Sequence, residues 1–104
     1  MDIIIQSLGF TASENLETFI HEKLEKFEKE SKIIRANVTL FIGPDSTPDK
    51  YYCEIRLEVP GNDHFTKKSS DSFEKAIADA VDTIQHSFRK AKQKQIDRNQ
   101  GSLT

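Results

Sequence analysis

The sequence predicts an α+β fold, a β-α-β-β-β-α two-layer sandwich with a four-stranded sheet and both helices on one face. Three observations predict it. Leu16, Phe19, Ile20, Leu24 and Phe27 recur at helical spacing, and so do Phe73, Ala76, Ile77, Ala80, Val81, Ile84, Phe88 and Ala91. Between these stripes, two segments alternate apolar and polar residues with a period of two. Each of these elements therefore has a single apolar side, and stacking both helices on one sheet face buries them all.

Ile3 to Leu8 reads as a short apolar strand, ended by Gly9. Thr11-Ala12-Ser13-Glu14 has the spacing of a capping box, opening a first helix that should end near Glu30. Ile34, Ala36, Val38, Leu40 and Ile42 then alternate with Arg35, Asn37, Thr39 and Phe41, the mark of a half-buried second strand. Gly43-Pro44-Asp45-Ser46-Thr47-Pro48-Asp49 is a loop of turn-forming residues. In the third strand Tyr51, Cys53, Ile55, Leu57 and Val59 face one way and Tyr52, Glu54, Arg56 and Glu58 the other. Pro60-Gly61-Asn62-Asp63 turns the chain into a weaker fourth strand around His64 to Ser69. Ser70 or Asp71 is positioned to cap the second helix. A right-handed crossover through the first helix makes the first two strands parallel and the remaining pairs antiparallel. From Gln93 onward apolar residues thin out, so one domain over 1–96 with a frayed tail over 97–104 is expected.

The bulk numbers agree with one compact domain: 104 residues, 31% charged and 36% hydrophobic. Ile3-Ile4-Ile5 is the longest apolar run near the start, far too short to span a bilayer, and the N-terminus lacks the positive flank and long apolar stretch expected of a signal peptide. A single cysteine cannot close an internal disulfide, which fits a reducing compartment. A cytoplasmic location with no membrane partner is expected. The net charge of −2 conceals an asymmetry. Residues 1–85 hold ten Lys/Arg against sixteen Asp/Glu, or −6. Residues 86–104 hold Arg89, Lys90, Lys92, Lys94 and Arg98 against Asp97, or +4. Such a cluster suits a polyanion, although cations near a helix C-terminus also complement the helix dipole.

Catalysis is not expected. His21, His64 and His86 fall on separate elements without metal-ligand spacing, and no metal or other cofactor is implied. Cys53 alternates with apolar strand residues, as a core thiol would. Most carboxylates sit on solvated helix faces beside lysines, and the four glycines occur singly, so no phosphate loop is present.

With this element order, the residues from Ile3 to about Lys94 resemble the hibernation-promoting factor and ribosome-associated inhibitor family, also known for sigma-54 modulation proteins. Leu16, Phe19, Lys23, Leu24, Lys26 and Phe27 look like that family's first-helix run. Ala76-Ile77 and Arg89-Lys90-Ala91-Lys92-Gln93-Lys94 look like its second helix. Where the family often has Asp-x-Tyr before the Ala-Ile pair, this chain has Ser72-Phe73-Glu74. The resemblance implies an arrangement like that of double-stranded-RNA-binding domains. It also implies a ribosome hibernation factor that occupies the mRNA and tRNA channel of the small subunit and inhibits translation under starvation or in stationary phase. The partners implied are the small ribosomal subunit and its rRNA, with ribosomal proteins nearby, for a chain that is monomeric off the ribosome. Ending after the second helix, the chain is similar to the family's short form, which lacks a dimerising domain.

The rRNA-binding residues expected are Lys23, Lys26, Arg89, Lys90, Lys92 and Lys94, which the resemblance implies, together with Lys67 and Lys68 for the charge they add. On a helical wheel Lys23 falls inside the apolar stripe of the first helix and Lys26 on its edge, with Glu14, Glu17, Glu25 and Glu28 opposite. A lysine there either contacts phosphate or lays its methylenes on the sheet edge and lets its ammonium reach water. Arg89 and Lys92 lie on one flank of the second stripe, and Lys90 and Lys94 on the other. Lys67 and Lys68 are expected to bring charge towards the start of that helix. Phe41 and Tyr52 are isolated aromatics on the outer sheet face, candidates for base stacking or for packing. The alternative function is a protein-binding regulatory module without direct rRNA contact, its acidic first 85 residues facing a basic partner.

Overall fold

The structure is a computed structural model that describes the backbone of residues 1–30 and 32–102 and the side chains of residues 1–30 and 32–91. Its elements are β1 (Asp2–Leu8), α1 (Glu14–Leu24) with a following 3-10 turn (Glu25–Phe27), β2 (Arg35–Ile42), β3 (Tyr51–Glu58), β4 (His64–Ser70) and α2 (Phe73–Ser102). The sheet has the order β1-β2-β3-β4, with β1 and β2 parallel and the other pairs antiparallel. This is the predicted α+β topology.

One core joins the two layers. Leu16, Ile20, Leu24 and Phe27 descend from the first helix, and Ala76, Ile77, Ala80, Val81, Ile84 and Phe88 from the second. They meet Ala36, Val38 and Leu40 of β2 and Cys53, Ile55 and Leu57 of β3. Alternation puts those six strand residues on one face, so both helices cover that face and leave the other open. Ala76 and Ala80 are fully buried, where a small side chain lets α2 approach the sheet closely. Ala91, counted in the apolar stripe, is instead exposed beyond the end of the core.

Both helix caps lie closer to their helices than the sequence suggested. Ser13, not Thr11, caps α1: its backbone is extended and its hydroxyl accepts the Leu16 N–H at 3.1 Å. Ser72, not Ser70 or Asp71, caps α2, accepting the Lys75 N–H at 3.2 Å. Asp71 pairs instead with the Lys75 ammonium at 3.2 Å. The regular part of α1 stops at Leu24, and the 3-10 turn then carries Phe27 into the core, before the expected end near Glu30. The helical backbone of α2 continues to Ser102, through part of the stretch expected as a tail, and the side chains of 97–104 lie outside the described residues.

Candidate nucleic-acid interface

Lys26, in the 3-10 turn after α1, reaches towards α2, and Phe19 and Lys23 precede it along the same stripe of the first helix. Lys23 is half-buried within the apolar stripe, and its ammonium reaches back over the Phe19 ring at 5.4 Å from the centroid. This combines a buried stem with a cation–π contact, and leaves the charge at the surface. Lys26 spans to the second helix, donating to Gln85 Oε1 at 3.2 Å and lying 3.6 Å from Asp82 Oδ1. Arg89 follows Gln85 by one helical turn, which puts it on the same flank of α2, and it is exposed. Lys26 and Arg89 therefore border one furrow between the helices, and Lys23 stands one turn before Lys26 on the first. Asp82 places a carboxylate on the wall of that furrow.

The remaining candidates separate. Adjacent strand residues point to opposite faces, so Lys67 and Lys68 do not act together. Lys68 is half-buried on the helix side of β4, opposite Cys53 in register. Lys67 stands on the open face, 3.9 Å from Glu54 and 5.4 Å from the centroids of both the Phe41 and Tyr52 rings. Lys90 occupies the other flank of α2, in an open groove beside β4. The side chains of Lys92 and Lys94 lie outside the described residues.

Two features lay beyond sequence reasoning. Phe41 and Tyr52 are not isolated: opposite one another in the β2–β3 register, they stack with centroids 4.8 Å apart and planes within 4°. Gly43 makes room for this stack, because a Cβ there would lie 2.7 Å from Tyr52 Cε2. Across the same open face Arg56 lies over the Phe65 ring, and Ile4, Leu8 and Phe65 are exposed. The second feature is that His64 and His86, assigned to separate elements, line the same groove between β4 and α2. The loop length between β2 and β3 was the available signal for the first, and none was available for the second.

Cys53 is fully buried, and its thiol pKa is pushed up to about 12, first by desolvation and then by the charge of Glu54. A thiol held protonated in this way is a poor nucleophile. Among the described residues no group of three or more His, Cys, Asp or Glu is arranged to hold a metal ion. No helix among them is long and apolar enough to cross a membrane.

Comparison with solved structures finds the same fold in a ribosomal subunit interface protein from Coxiella burnetii. The TM-score is 0.79 at 18% identity, covering 89% of this chain and 99% of that one. The N-terminal domain of Thermus thermophilus Protein Y matches with a TM-score of 0.72 at 18% identity, covering 86% of this chain and 98% of that one. No curated protein sequence matches. The family model described as sigma 54 modulation protein / S30EA ribosomal protein matches residues 3–96, which takes in β1 but for Asp2, the other strands, all of α1 and most of α2. The chain belongs to the sigma 54 modulation protein / S30EA ribosomal protein family, a family of ribosome-associated factors.

Proposed function

We propose that the chain is a ribosome hibernation factor. It binds the small ribosomal subunit through rRNA in the mRNA and tRNA channel, and inhibits translation in starved or stationary-phase cells. The observation that supports this reading is the reach of Lys26 across to Gln85 of α2, with Lys23 one turn before Lys26 and Arg89 one turn after Gln85. A-form RNA is recognised largely through shape, phosphates and 2′-hydroxyls, so a cationic furrow needs no base-reading groups. Arg89 can grip a phosphate with two donors, while Lys23 and Lys26 supply mobile point charges. Lys90, Lys92 and Lys94 extend the charge along α2, and Lys67 and Lys68 approach RNA from other sides. The work is occlusion by a cytoplasmic monomer of one domain over 1–96, with 97–104 as a tail. No bond is made or broken.

The test is charge reversal at Lys23, Lys26, Arg89 and Lys92 together, followed by co-sedimentation with purified small subunits. Binding and inhibition of a reconstituted translation reaction should both be lost while the circular dichroism spectrum is unchanged. Normal co-sedimentation of the reversed protein would overturn the reading. Exposed Ile4, Leu8 and Phe65 on the open sheet face favour the second reading, a module that binds a protein. Binding to isolated ribosomal proteins that survives high salt would select it.

A further inference from the structure

We propose that the groove between β4 and α2 is a proton-dependent seat for a phosphodiester, built from His64, Thr83, His86, Ser87 and Lys90. All five line the groove. Its α2 wall is set by helical periodicity, since Thr83, Ser87 and Lys90 stand three or four residues apart and face the same way. The wall therefore presents two hydroxyls and an ammonium, and β4 brings an imidazole to face them. These are groups that donate hydrogen bonds to an anion. Asp82 also lines the groove, but its carboxylate lies 3.6 Å from the Lys26 ammonium and is balanced from the α1 side.

The proton dependence comes from one contact. His64 Nδ1 lies 3.1 Å from Ser87 Oγ. With a neutral ring accepting at Nδ1, the Ser87 hydroxyl donates to the ring and is occupied. When His64 takes a proton from solvent, both ring nitrogens carry hydrogen, and Nδ1–H donates to Ser87 Oγ instead. The Ser87 hydroxyl proton is then released to point into the groove. One proton thus adds a positive charge and frees a donor. The ring is held in place by the edge of Phe88, centroids 5.5 Å apart. The other charged or titratable groups lining the pockets around His64 are Lys90, His86 and Asp82 from α2, and Lys32 from the segment before β2. Histidine is the side chain that ordinarily changes charge between about pH 5 and 8.

The inference rests on the ribosomal reading only for which polymer supplies the phosphate. The probes are a short RNA duplex, whose phosphodiester charge is constant across this range, and sulfate, which remains a dianion. Duplex affinity should rise about tenfold from about pH 7.5 to about pH 6, the worth of one added charge-assisted hydrogen bond. Ser87→Ala and His64→Gln should each remove most of that rise, while His21→Gln, on the exposed side of α1, should keep it. At the lower pH, sulfate should shift the NMR signals of His64, His86 and Ser87. An equal pH response in Ser87→Ala or His64→Gln would overturn the proposal. Small subunits bound without pH dependence, and no sulfate shifts, would sink the seat and leave the ribosomal reading standing. Sulfate shifts with no small-subunit binding would do the reverse.

Discussion

The Lys26 ammonium lies 3.6 Å from the Asp82 carboxylate, so a cation of the furrow meets its counter-charge from across the helix pair. The Asp82 side chain is 76% exposed, and pairs this open contribute about 0–1 kcal/mol. Its greater effect is on the potential of the two surfaces it borders.

Asp82→Asn should therefore leave the urea-unfolding midpoint nearly unchanged while tightening RNA-duplex binding severalfold. A gel-shift titration of both proteins at one salt concentration measures this. Weaker binding by Asp82→Asn would mean that Lys26 needs its partner to stay in position.

Binding to small subunits should weaken steeply with salt. Neutralising about six phosphates gives a slope of log K against log salt of roughly −4 to −5. A slope near zero in a filter-binding series would argue for contacts that are not ionic.

Gly43→Ala should cost about 1–3 kcal/mol, the usual penalty for forcing an atom into filled space. The new Cβ would meet the Tyr52 ring at 2.7 Å, and that ring cannot withdraw without leaving its stack on Phe41. Denaturant titration gives the cost, and near-ultraviolet circular dichroism reports the loss of the stack.

Cys53 makes stability fall in alkali. Its folded pKa is raised to about 12 from an ordinary 9.0, so between these values the folded state holds a proton that the unfolded state releases. The contribution is present in full below about pH 9 and disappears as pH rises towards about 12. Cys53→Ala should flatten that alkaline limb, although the lost sulfur lowers stability at neutral pH. A thiol reagent at pH 8 should modify the native protein only as fast as it unfolds.

The strands were legible because alternation places Val38, Ile55 and their neighbours unambiguously, and the helices because Ile20, Leu24, Ile77 and Ile84 repeat at 3.6 residues. The caps were harder. Ser69-Ser70-Asp71-Ser72 offers several oxygens that could each cap a helix, and only the backbone turn at Ser72 selects one. Of the candidate site, Lys23 was legible as a break in an apolar stripe. Lys67 and Lys68 were grouped by adjacency, although the same alternation that found the strand separates them. The pairings of Lys26 with Asp82 and His64 with Ser87 join residues far apart in the chain, and no local pattern encodes them.

Because β1 lies parallel to β2 at the sheet edge, its partners can be reached only after the chain has crossed the whole of α1. The β2–β3–β4 meander closes through short connections, so its contacts cost less chain entropy to form. In refolding, β1 with its Ile3-Ile4-Ile5 run is therefore the last strand to gain a neighbour. Pulse-labelled hydrogen exchange during refolding should find β1 amides protected after those of β3, and simultaneous protection would contradict this order. A refolding chain therefore carries an unpaired, isoleucine-rich segment until β1 docks on β2, a period of vulnerability to aggregation.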